Sequence, residues 1–176
     1  MRLFCFIYLF LAFVSGGAQS VNAEYDKNRD LSGYKTFMMG EGEVITPKDR
    51  RQIDAASLHK WVKTSITEEL TEKGLQPVDS SGDLIVSYVI GSQDRTDFTQ
   101  LGPLGISPTN NSQTWSRDYQ MGSLIIDLDD RNKNLIWRIN ATTTNSATDI
   151  SRMIDQIVAA GFRKFSLKPK KVKKKK

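Results

Sequence analysis

Residues Leu84 to Ile90 are apolar at six of seven positions, Ser87 being the exception. A run this short and this rich in strand-forming residues predicts a central β-strand covered on both faces. Two further segments indicate what does the covering. From about Arg50 to Lys73, the residues Ala55, Leu58, Trp61, Val62, Ile66 and Leu70 recur at spacings of three and four. That spacing gives an amphipathic helix with one buried stripe, and Gly74 stands where a left-handed C-terminal residue is expected. A second helix is predicted to begin near Ser146, with Ser146 and Asp149 forming a reciprocal cap. Its stripe consists of Ile150, Met153, Ile154, Ile157, Val158 and Phe165.

Shorter signals fill in the sheet. Tyr34 to Met39 reads as a first strand between Gly33 and Gly40, and Gln76 to Val78 as a brief one. Tyr119 to Leu128 and Leu135 to Thr143 form a hairpin around Asp129 to Asn134. Residues 91–118, rich in Gly, Pro, Ser, Thr and Asn, read as a long loop, a type of segment that usually carries function or stays unfolded. Two helical stripes each need an apolar surface, and a sheet provides it. The expected fold is therefore α+β: a mostly antiparallel sheet of about five strands with two amphipathic helices packed mainly on one face.

The ends differ from this middle. Arg2 precedes the apolar run Leu3 to Val14, which is followed by small and polar residues, the pattern of a secretory signal peptide. Twelve helical residues rise about 18 Å, well short of the ~30 Å hydrocarbon core. Val21 and Ala23 suggest cleavage after Ala23, with Ala18 the next choice, so residues 1–23 are assigned to the leader and 24–167 to a single domain. The lone cysteine, Cys5, lies at the start of the apolar run, so the expected mature chain has no cysteine and no lipid-bearing position. At the other end, Lys168, Lys170, Lys171, Lys173, Lys174, Lys175 and Lys176 form a disordered Lys-rich tail spanning 168–176. The whole chain carries 25 Lys+Arg against 20 Asp+Glu. Without the seven tail lysines and Arg2, 17 cations face 20 acids. The domain itself is thus mildly acidic, and no nucleic-acid footprint is expected.

Little catalytic chemistry is spelled out. His59 is the only histidine, at the edge of the first helix's stripe, and it reads as a boundary residue with no identifiable catalytic partner. Thiol chemistry and thiolate zinc sites have no residues to use. Gly102-Pro103-Leu104-Gly105 lacks the spacing of a phosphate loop, and no serine sits in a Gly-x-Ser-x-Gly elbow. Asp127, Asp129, Asp130, Asn132 and Asn134 resemble an oxygen-rich calcium loop in composition. A loop starting at Asp130, however, has Leu135 where the tight glycine turn belongs and Ala141 where the bidentate glutamate belongs. The cluster is read as a solvated turn, and no metal or cofactor is expected. Trp115 is a candidate loop contact, Trp61 and Trp137 fit core positions, and Asn110 and Asn140 each begin a glycosylation sequon.

Several pieces occur in the order seen in one family. They are Tyr25-Asp26, Asp30 to Phe37, Glu69 to Leu75, Asp83 to Tyr88, Gly122 to Asp127 and Leu135 to Arg138. In these the chain resembles the domain of unknown function 4136 family from Tyr25 to Phe165. The resemblance implies a bacterial cell-envelope, lipoprotein-like protein and brings no catalytic residues. The expected function is that of a secreted, periplasmic, non-enzymatic envelope interaction or maintenance module. Its partners would be an envelope protein, or an anionic lipid or lipopolysaccharide surface met by the lysine tail. The alternative is a small-ligand or lipid-binding protein with a pocket between helices and sheet; a hydrolase is the third choice.

Overall fold

A computed structural model describes residues 19–100, 114–144 and 149–168; side chains are described outside 94–100 and 114–120. Six strands and two helices are present among these residues: β1 (Gln19–Glu24), β2 (Thr36–Val44), α1 (Ala55–Glu72), β3 (Gln76–Pro77), β4 (Leu84–Gln100), β5 (Thr114–Asp130), β6 (Leu135–Thr143) and α2 (Ile150–Phe162). They form one sheet of order β1-β6-β5-β4-β2-β3. The sheet is mixed. β2 runs parallel to both β3 and β4, whereas the β4–β5, β5–β6 and β1–β6 pairs are antiparallel.

This corrects the expectation of a mostly antiparallel sheet of about five strands, for two physical reasons. The connection from β2 through α1 to β3 and β4 is a crossover, and a crossover through a helix returns the chain parallel. The sixth strand, β1, lies across the boundary that the leader reading placed at Ala23 and carries no strong pattern of its own.

The segment read as a long loop is also corrected. β4 and β5 each run 17 residues and pair from Leu84↔Asp130 to Gln100↔Thr114, so 91–100 and 114–118 are strand. No apolar alternation marks Ser92 to Gln100, which is why periodicity misses a ladder held by backbone hydrogen bonds. The candidate contact Trp115 sits on β5 opposite Thr99. The glycine-rich stretch 102–105, Asn110 and Ser146 lie outside the described residues, as does the lysine tail beyond Lys168.

The helices begin later than the sequence suggests. Asp54 caps α1, accepting 2.8 Å from the Ser57 N–H, and Asp149 caps α2 itself, accepting 3.0 Å from the Arg152 N–H. Arg50 and its neighbours form a 3-10 turn ahead of α1. The predicted stripes hold: Val62, Ile66 and Leu70 of α1 and Ile154, Ile157 and Val158 of α2 are fully buried, with Leu58, Trp61, Ile150 and Met153 packed at the margin.

Both helices lie on one face. Along β4, Leu84, Val86, Tyr88 and Ile90 are buried while Ile85, Ser87 and Val89 are half-exposed. The central strand is therefore covered on one face rather than two. A pattern of six apolar residues in seven does not distinguish a covered second face from one shielded only by neighbouring side chains.

At one end the helix-covered face is densely filled. Trp137 stacks on Tyr25 with ring centroids 3.9 Å apart and meets Phe165 edge-on at 5.3 Å. Phe162 packs edge-on against Phe165 in turn. Gly161 brings α2 so close that a Cβ there would run into Ile139, and its carbonyl accepts from Trp137 Nε1 at 3.3 Å.

Carboxylates close the turns beneath this end. Asp83 accepts from the Lys35 and Thr36 N–H groups and from the Thr36 hydroxyl, and it pairs with Arg131. Asp130 accepts from the Asn132 and Asn134 N–H groups, from Asn134 Nδ2 and from Arg29. Hydrogen bonding to the charged form holds both carboxyls below the usual carboxylate range, led by the Lys35 N–H for Asp83 and by the Asn134 side chain for Asp130.

Candidate functional site

The covered face is built in cross-strand rows, and their side chains shrink from one end to the other. Val86, Leu128 and Trp137 form one row, Tyr88, Ile126 and Ile139 the next, and Ile90, Leu124 and Ala141 the third. The last row is Ser92, Gly122 and Thr143. Large residues fill the first two rows up to the helices. Ala141 in the third row, and Ser92, Gly122 and Thr143 in the last, leave space.

That space is a cavity of about 100 Å³ between the N-terminal parts of α1 and α2, the middle of β4 and β5 and the end of β6. Leu58 and Ile53 wall it from the α1 side, and Met153, Ile154 and Ile157 from α2. Its floor is Ile90, Leu124, Ala141 and Gly122, and its lining is mainly apolar. Gly122 has little freedom to grow, since a Cβ there would sit 3.1 Å from Thr143 Cγ2.

Polar groups gather at the rim. The Arg51 guanidinium donates to the Thr46 carbonyl at 2.6 Å and the Val44 carbonyl at 3.1 Å. Buried Thr46 accepts from the Ser92 N–H at 2.7 Å through its hydroxyl, and the Ile45 N–H donates to the Ile90 carbonyl at 3.0 Å. These bonds pin the end of β2 beside β4 and place one cation, Arg51, on the lip of an apolar slot.

A larger open groove of about 530 Å³ lies on the other face, lined by Glu41, Glu43, Ser87, Val89, Ile125 and Asp127. It has acidic sides and no helix over it. The slot is the better ligand candidate because its mainly apolar lining takes a ligand's apolar surface out of water, whereas carboxylates wall the groove.

The residues singled out by sequence fall in different places. His59 does have a partner: its Nδ1 lies 2.7 Å from the hydroxyl of buried Tyr88. Burial pushes the Tyr88 phenol up, keeping it a neutral hydrogen-bonding group. Neither residue lines the slot, and the pair ties α1 to β4. Asp127 is held by Arg138 through two bonds of 2.6 and 2.5 Å. Burial, then the Asp127 charge, raises Asp129. No group of three or more His, Cys, Asp and Glu side chains able to hold a metal exists among the described residues. No helix among them is long and apolar enough to cross a membrane.

Sequence reasoning missed Arg51, Thr46, Ser92, Gly122 and Ala141 as a group. Only the decline in side-chain size along rows of paired strands marks them, and the rows are defined by register.

Fold and site together describe a six-stranded α+β module with an apolar slot at one end of its helix-covered face. The chain belongs to the family described as Domain of unknown function (DUF4136), whose model matches residues 21–165. No curated protein matches it. Among solved structures, a DUF4136 family protein from Bacteroides thetaiotaomicron aligns with a TM-score of 0.52 at 17% identity, covering 85% of this chain and 98% of that one. A PelC dodecamer from Paraburkholderia phytofirmans aligns with a TM-score of 0.52 at 10% identity, covering 88% and 100%. At these identities the likeness is one of fold.

Proposed function

We propose that this chain is a non-enzymatic, exported module of the cell envelope that holds a small amphiphile in the slot between α1, α2 and the sheet. The observation that carries this reading is the slot itself: an apolar cavity of about 100 Å³ with Arg51 at its lip. Drug-sized ligands occupy pockets of roughly 300–1,000 Å³. A cavity this small fits a few carbons, so the ligand is a short acyl chain, or the end of a longer one, with an anionic head at Arg51. Export rests on the apolar leader, and the absence of a catalytic role rests on the structural use made of His59, Asp127 and Asp130.

Methyl NMR of the purified protein titrated with octanoate, and in parallel with octanol, tests this. Octanoate is expected to shift methyls of Ile90, Leu124 and Ile154 while leaving Val86 and Leu128 unmoved, and octanol to bind more weakly for want of a charged head. Ala141→Leu, which fills the floor, should abolish the shifts. Absence of slot shifts with either compound at millimolar concentration would falsify the reading.

The lysine tail adds a second contact in this proposal. Seven lysines beside an anionic lipid surface are worth about 1 kcal/mol each at low salt, declining as salt screens them. They would hold the module near the lipids whose chains it samples.

A further inference from the structure

Val21 and Ala23 have the small-residue spacing of a leader-peptidase site, yet the fold uses them. β1 pairs with β6 over its full six residues, from Gln19↔Thr143 to Glu24↔Arg138. Val21 and Ala23 pack at the margin of the core, and the residue that follows the strand, Tyr25, stacks on buried Trp137. The family model, an independent observation, begins at residue 21 and so includes the same residues.

A mature chain beginning at Glu24 would keep one residue of the strand. The outer edge of β6 would lose its partner, and the unpaired N–H and C=O groups of Ile139–Thr143 would become a template for pairing with other chains. The flank of α2 beside β1 would also open. Upstream, Gly16 and Ala18 supply small residues at the third and first positions before a cut, directly after the apolar run.

We propose that the leader is removed after Ala18, so that the mature chain begins at Gln19 and β1 is a permanent edge strand of the exported domain. The peptide bond between Ala18 and Gln19 is hydrolysed by water, releasing the leader with a new carboxylate at Ala18 and leaving an amino group on Gln19. The proposal stands apart from the slot but rests on the export reading above: an unprocessed chain would break export itself, whereas a start at Glu24 would break this proposal alone.

The test is to express the full chain with its own leader in a Gram-negative bacterial host, recover the periplasmic fraction, and read the N-terminus by sequencing and intact mass. Gln19 is the expected first residue. Ala18→Leu should cause the precursor to accumulate, whereas Ala23→Leu should still be processed at Gln19. A start at Glu24, or unprocessed chain carrying Met1, overturns the proposal. A folding readout keeps the structural half falsifiable: a chain produced from Gln19 should melt roughly 5–15 °C above one produced from Glu24. Equal melting temperatures would remove the reason for retaining β1.

Discussion

The two ends of the helix-covered sheet face share their strands, helices and alternation, yet one is solid and the other hollow. At the solid end Trp137 is 1% exposed among Tyr25, Phe162 and Phe165, and Asp83 and Asp130 bind the turns beneath it. At the hollow end Ala141 and Gly122 stand in the equivalent rows, and neutral hydrogen bonds plus Arg51 hold the strands together. The difference teaches that alternation decides only which side chains face the helices. Their volume decides whether the space between the layers is filled.

The contrast breaks most readily at the solid end. Trp137→Ala should cost about 3–5 kcal/mol of unfolding free energy in urea melts, as large-to-small changes at packed aromatic sites do. A loss below about 1 kcal/mol would mean that this end is not the stability centre. Gly161→Val forces a branched side chain against Ile139 and should cost roughly 1–3 kcal/mol by overpacking. The hollow end should respond differently. Ala141→Leu adds volume where space exists, and its melting free energy should change by less than about 1 kcal/mol while octanoate binding is lost. Should the same substitution destabilise as strongly as Gly161→Val, the slot is not available space.

Acid sharpens the comparison further. The folded-state pKa values of Asp83 and Asp130 are depressed, so their contribution is fully present above the unfolded value near 3.9 and is lost as pH falls through the lower folded values. Hydrogen exchange followed from pH 5 downward should therefore show protection fading first around Thr36, Leu84 and Asn134, before Ile90 and Thr46. Asp130→Asn should flatten that decline below about pH 4, measured as the slope of melting temperature against pH. The smallest expected effect belongs to the tail: deleting residues 168–176 should leave the melting temperature within about 1 °C while removing salt-sensitive binding to anionic vesicles. Unchanged vesicle binding would leave the tail without an electrostatic role.

Much of this architecture is legible in the sequence because local periodicity reports burial directly. Ile154, Ile157 and Val158 recur at helical spacing and so name the buried face of α2, whereas Leu84 to Ile90, apolar at six of seven positions, names a strand without telling which of its faces is buried. Phe162, fully buried four residues on from Val158, belongs to the α2 stripe, whereas Phe165, assigned to that stripe from the sequence, is buried beyond the end of the helix. The β4–β5 extension escapes the sequence: a ladder that packs no apolar stripe leaves no periodic trace. The candidate site was not legible at all. Ser92, Gly122 and Thr143 are far apart in the chain and become one row only through strand register.

The chain by itself determined its family, its two amphipathic helices, its central strand and its charged tail, each a matter of neighbouring residues, whereas the acidic turn, read as solvated, buries Asp130 against distant Arg29. Tertiary structure alone decided that β2 lies parallel to β4, that β1 completes the sheet, and that small residues from three strands converge under Arg51. Those outcomes depend on which distant segments pair and in what register. Pairing is settled by the packing of the whole face, because a shift of one residue would turn every buried side chain to the opposite side.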